Sequence, residues 1–202
     1  MPRRGFTLIE LLVVIGIIVA LAAILFPVVT VVSGRGHDVA CQQQLRQLGA
    51  ALLDYEQSHG YPKVGGQAFL ADLHRQGLAE DSRIFVCPRS DAAEADGWQR
   101  RGADALAGKA GDPVRDGGTS YWGRIGGAKS IRAARARRVP VSQIPVACDA
   151  CTRGPEGEWI SPHGGKVHVL YLDGHVEAVA LADFAAEAWP GLGEHPRKVL
   201  GK

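Results

Sequence analysis

Residues 6–32, FTLIELLVVIGIIVALAAILFPVVTVV, form an unbroken apolar run directly after a short basic leader, Met1-Pro2-Arg3-Arg4-Gly5. At about 1.5 Å per residue a helix of this length spans about 40 Å, more than the roughly 30 Å hydrocarbon core of a bilayer. The segment is long enough to cross a membrane, and Arg3 and Arg4 hold its N-terminal side in the cytoplasm, so the chain after about residue 33 lies outside it. A cleaved secretory signal is the ordinary alternative, because Ala20-Leu21-Ala22 offers the small residues that signal peptidase cuts after. The apolar run continues past that point, however, and neither a cleaved signal nor a plain anchor accounts for Glu10, its lone charge. A carboxylate costs about 2.5 kcal/mol or more at the bilayer centre on insertion scales, so it marks function and requires a partner.

The remainder of the 202-residue chain allows one globular head of modest core. Its 23 basic and 21 acidic side chains give a net charge of +2, so no nucleic acid partner is expected. The stretch Arg132-Ala133-Ala134-Arg135-Ala136-Arg137-Arg138 is a local exception, read as a solvated loop or helix face, with contact to nucleic acid, lipid head groups or a partner subunit as the alternative. Four cysteines, Cys41, Cys87, Cys148 and Cys151, suggest disulfides in an exported domain. Of the three connectivities, the preferred one closes Cys148-Asp149-Ala150-Cys151 as a short loop and ties Cys41 to the Cys87-Pro88 segment; a reducing environment leaves all four free.

Past a break at Ser33-Gly34-Arg35-Gly36, a second helical stretch is predicted from about His37 to His59, as the outer half of one long helix bent near Pro27 or Gly34. Cys41, Leu45, Leu48, Leu52 and Tyr55 recur at spacings of four and three, the stripe of an amphipathic helix that packs one face on a sheet. Gly60 and Pro62 supply its stop. Phe69–Gln76 reads as a short helix, Arg83–Pro88 as a strand or extended segment, Ser90–Gly118 as a long loop, and Thr119–Ile125 and Val141–Ala147 as strands. At the C-terminal end, strands 166–172 and 175–180 flank Asp173-Gly174, which favours a two-residue type I′ turn. That turn pairs Tyr171 with Val176, Val169 with Ala178 and Val167 with Ala180, and directs these six toward the helix. A slip of one residue would bury Glu177.

The phrase Gly5-Phe6-Thr7-Leu8-Ile9-Glu10 resembles the N-terminal cleavage and methylation signal of type IV pilins and type II secretion pseudopilins, and residues 41–62 resemble the outer half of the pseudopilin helix. The resemblance implies that a prepilin peptidase cuts between Gly5 and Phe6 and N-methylates Phe6. It also implies that Glu10 neutralises a terminal amine within the filament, since an ammonium and a carboxylate are tolerated in an apolar bundle only as a pair. His163, nine residues and then Asp173-Gly174 are similar to the His-x9-Asp-Gly signature of a prepilin-processing-associated domain. Turn chemistry accounts for Asp173 and Gly174, but nothing local accounts for His163.

The expected fold is α+β and pilin-like, a long N-terminal helix packed on a small antiparallel sheet. The expected segments are a leader (1–5), a transmembrane or filament-core helix (6–32), the amphipathic half of the helix (33–62) and a periplasmic head (63–202) with its hairpin at 166–180. The implied function is that of a non-enzymatic filament subunit of the bacterial inner membrane, most concretely a pseudopilin of a type II secretion system. Its implied partners are prepilin peptidase, other pilin or pseudopilin subunits and an inner-membrane assembly platform. No cofactor and no metal site are expected, because the ligand-type residues His163, His168, His175, Asp173, Cys148 and Cys151 lack a recognised spacing. The rival reading is a membrane-tethered metal-binding or redox module built on His163 and the Cys148–Cys151 region.

Overall fold

The computed structural model describes residues 8–79, 81–89, 120–186, 194 and 196–200. The chain divides into two units, Met1–His37 and Asp38–Lys202. Helix α1, Leu8–His59, belongs to both. Its backbone stays helical through Pro27 and through Ser33-Gly34-Arg35-Gly36, where the sequence reading placed a break. A helical glycine costs only about 1 kcal/mol relative to alanine, which continued hydrogen bonding on both sides absorbs.

Within the first unit, every side chain from Leu8 to Leu25 is exposed, including Glu10, and this stretch is long and apolar enough to cross a membrane. A helix apolar all round has no single core-facing stripe to bury.

The second unit contains the amphipathic part of α1, ended by Gly60 at φ 79° with its N–H bonded to the Glu56 carbonyl. There follow α2 (Gln67–Arg75), β1 (Tyr121–Gly123), α3 (Gly127–Ala136), β2 (Pro145–Asp149), β3 (Thr152–Arg153), β4 (Trp159–Ile160), β5 (Lys166–Tyr171), β6 (Val176–Ala180), α4 (Leu181–Ala185) and α5 (Pro196–Leu200). Strands β1, β2, β5 and β6 form an antiparallel sheet in the order β1-β2-β5-β6, and β3 pairs with β4 alone. The architecture is α+β, as the sequence predicts.

The stripe Cys41, Leu45, Leu48, Leu52 and Tyr55 is buried and joins Phe69, Leu70, Leu73, Phe85, Ile131, Leu170 and Leu172 in the larger core. The opposite face of the sheet is also covered: Trp122, Cys148, Val167, Val169, Tyr171 and Val179 pack with Phe184 and Leu200 in a second cluster. Trp159 bridges Trp122 and Phe184 edge to face, with centroid separations of 6.0 and 6.3 Å.

Two local expectations change. Residues 82–85 form a 3₁₀ turn rather than an extended segment, because the Asp81 side chain accepts from the Arg83 N–H and caps it. Val141–Gln143 is likewise a 3₁₀ turn, and β2 begins only at Pro145.

The hairpin forms, but one residue out of the expected register. Lys166 pairs with Ala180, Val167 with Val179, His168 with Ala178, Val169 with Glu177 and Leu170 with Val176. The connection is the three-residue Leu172-Asp173-Gly174: the Gly174 N–H bonds the Tyr171 carbonyl, and Gly174 takes φ 88°, a left-handed turn position that relieves the twist. On β5 it is Leu170 and Leu172, not Val169 and Tyr171, that face α1. Because both faces of β5 are covered, alternation could not select between them; Glu177 stays exposed since β6 is an edge strand.

The arginines of the stretch 132–138 lie on the exposed side of α3 and at its C-terminus, while Ala134 turns into the core. Arg138 closes that helix at φ 60°, its N–H bonded to the Arg135 carbonyl and the Val139 N–H to that of Ala134.

Candidate functional site

Of the sequence-predicted positions, Gly5 and Phe6 lie outside the described residues, and so does the loop predicted at 90–118. Glu10 lies on α1 and is exposed.

The head gathers a second constellation. His163 sits in the turn between β4 and β5, where Ser161 Oγ accepts from the His163 N–H at 3.1 Å and Gly164 turns the chain at φ 68°. Its ring is buried. Nδ1 lies 2.7 Å from Asp38 Oδ1 on α1, while Nε2 lies 3.2 Å from Cys87 Sγ and 3.6 Å from Asp149 Oδ2. Asp38 is also held by Arg89 at 2.8 Å. Burial works to raise the Asp38 carboxyl, but hydrogen bonds from His163 and Arg89 outweigh it and hold the group below its ordinary value.

Cys41 and Cys87 are joined as a disulfide with Cα atoms 5.5 Å apart, a separation that suits a bridge. Cys41 Sγ lies 3.2 Å from Tyr121 Oη, which donates to Gln44 Oε1 at 2.7 Å. Asp149 ends β2; its Oδ2 accepts from the His168 N–H at 2.7 Å and lies 2.9 Å from His168 Nδ1, which is not aligned to bond it. Asp149 Oδ1 is buried with no hydrogen-bond partner among the described residues. The rings of His163 and His168 meet edge to face at 4.4 Å. One donor atom each from Cys41, Cys87, Asp149 and His163 falls within 4.8 Å of the other three, and all four residues are buried.

This grouping departs from the sequence expectation in two ways. Cys148 and Cys151 are free and buried thiols, because β2 stays extended to Asp149 and does not curl into the tight loop that a bridge between them requires. Burial pushes both thiols up, Cys151 to about 12, so neither is a ready nucleophile. The residue of Cys148-Asp149-Ala150-Cys151 that reaches the cluster is the aspartate. Asp173 and His175 stay apart from it: the carboxylate bonds the His175 N–H at 3.2 Å within the hairpin turn. The missed residues, Asp38 and Asp149, carry no local signal, since their partners lie 125 and 14 positions away in sequence.

Residues 1–26 match the family described as the prokaryotic N-terminal methylation motif. No curated protein and no solved structure matches the chain.

Proposed function

We propose that this chain, which fits the type IV pilins and pseudopilins in its methylation motif and apolar helix, is a pseudopilin of a type II secretion system. The observation that carries the reading is that the match to the motif, residues 1–26, contains the exposed apolar stretch Leu8–Leu25 of α1. Prepilin peptidase cleaves between Gly5 and Phe6 and methylates Phe6. Before assembly α1 anchors the precursor in the inner membrane as a single span, with its N-terminus cytoplasmic and the head periplasmic. On assembly the same apolar surface leaves lipid for the equally apolar surfaces of neighbouring subunits and of the assembly platform. Glu10 then finds the cationic amine that makes its burial tolerable. The subunit performs no chemistry of its own.

Mass spectrometry of the N-terminus isolated from cells tests this. A methylated Phe6 terminus is expected; a retained Met1, or a terminus near Ala23, overturns the processing.

A further inference from the structure

We infer that the dithiol form of this chain holds one tetrahedral zinc ion in the head, ligated by Cys41, Cys87, Asp149 and His163. The site is independent of the filament reading, because all four ligands lie in the unit 38–202.

The donor set selects the metal. Two thiolates, one imidazole and one carboxylate suit Zn2+, whereas calcium and magnesium require shells of oxygen. The distances from His163 Nε2 to Cys87 Sγ, 3.2 Å, and to Asp149 Oδ2, 3.6 Å, are edges of the size a tetrahedron with bonds of about 2.0–2.3 Å produces. Two further observations point to a ligand. His163 turns Nδ1 to the Asp38 carboxylate, which places the ring proton there and leaves the Nε2 lone pair aimed at the cluster; metal-bound histidines are oriented this way. Oδ2 of Asp149 faces His163 while its Oδ1 is buried with no partner among the described residues, a cost of about 1–3 kcal/mol for a polar atom unless a cation engages the carboxylate.

Zn2+ forms bonds to two sulfurs, one nitrogen and one oxygen, and the two thiol protons leave to water. The bridged form offers no thiolate, so the ion and the Cys41–Cys87 disulfide are alternative occupants of the same place, and loading belongs to the chain as synthesised with its cysteines reduced. The neighbouring order Cys87, His163, Asp38 would also suit a cysteine nucleophile, but Cys87 is 0% exposed and His163 5%, which denies a substrate the approach that an ion has no need of. With four protein donors the centre is closed, and its role is to tie α1, the segment after the 3₁₀ turn, the end of β2 and the turn before β5 together.

The test uses the full chain purified in detergent under a phosphine reductant and titrated with zinc chloride, or with cobalt(II) chloride as a coloured substitute. One equivalent of zinc is expected. Cobalt should give a thiolate-to-metal band in the near ultraviolet together with the strong visible absorption of a tetrahedral site. H163A and Cys87→Ser should abolish that band, whereas Asp38→Asn should preserve it and weaken binding about 10–100-fold. Cys148→Ser and Cys151→Ser should leave stoichiometry and spectrum unchanged. Should the ligand variants fail to fold, the wild-type chain decides: Cys41 and Cys87 should resist alkylation when loaded and react once a chelator is added. The inference is overturned if the reduced wild-type chain takes up no stoichiometric metal. It is equally overturned if the band survives H163A, if it is lost in Cys148→Ser, or if chelation leaves thiol reactivity unchanged.

Discussion

Gly49 of α1 lies against Leu170 of β5 so closely that a Cβ built at Gly49 would stand 2.9 Å from Leu170 Cδ1 and 3.4 Å from the Gly174 Cα. This approach sets the helix on the sheet and explains why Leu170, rather than its neighbours Val169 and Tyr171, faces α1. Gly49→Ala should leave stability within about 1 kcal/mol of the parent, because helix propensity gains about 1 kcal/mol while the flexible end of Leu170 must move. Gly49→Leu has no such offset against the hairpin backbone and should cost about 2 kcal/mol or more. Chemical denaturation of the full chain in detergent distinguishes the two.

Among the described residues Arg124 is the largest fully buried side chain, and its guanidinium is engaged on several sides. Its guanidinium donates to Glu194 at 2.5 Å, to the Pro145 carbonyl at 2.8 Å and to Ser130 Oγ at 2.7 Å. Glu194→Ala should therefore destabilise the head by about 3 kcal/mol, since it strands a buried cation. Adding Arg124→Met to Glu194→Ala should recover part of that loss, and thermal melting of the single and double variants measures it.

All four tyrosines have raised phenol pKa values, each through burial first and then a nearby carboxylate: Asp72 for Tyr55, Glu56 for Tyr61, Asp149 for Tyr121 and Glu177 for Tyr171. Tyr61 is pushed up to about 12. A raised folded pKa favours the protonated native state, so this contribution is complete below about pH 10 and is lost as pH rises through the folded values. Ultraviolet titration should show no tyrosinate in the folded chain near pH 10 and ionisation of all four after unfolding.

Arg138 holds a left-handed conformation at the end of α3, φ 60°, where a residue with a Cβ is strained. Arg138→Gly should stabilise the head by a few tenths to about 1 kcal/mol, the relief of strain exceeding the added freedom of the unfolded chain. A denaturation midpoint shifted downward would contradict this.

Glu10→Val makes α1 more apolar and should strengthen membrane retention of the precursor. It should nevertheless abolish filament assembly if the carboxylate pairs with a neighbour's terminal amine, and Glu10→Asp should restore assembly in part. Sedimentation of sheared filaments reads both variants; assembly by Glu10→Val at the parental level would remove the pairing role.

By itself the sequence determined what is periodic or local. The run after Gly5 specified an apolar helix, the stripe from Cys41 to Tyr55 specified its buried face, and Asp173-Gly174 specified a turn between two strands. Each of these is written within a few residues, at the period of the element it forms. The register of that hairpin was decided by the tertiary structure, because Val167 to Leu172 is buried on both faces, with His168 its one charged-type side chain, and only the packing of α1 on one side and α4 and α5 on the other says which is which. The Cys41–Cys87 pairing was already the preferred connectivity in the sequence, but the gathering of Asp38, Asp149 and His163 around it was decided there too. Asp38 and Cys41 share α1, but Cys87, Asp149 and His163 come from separate elements with no common spacing, and only burial of the helix stripe against the sheet brings their polar atoms within bonding reach.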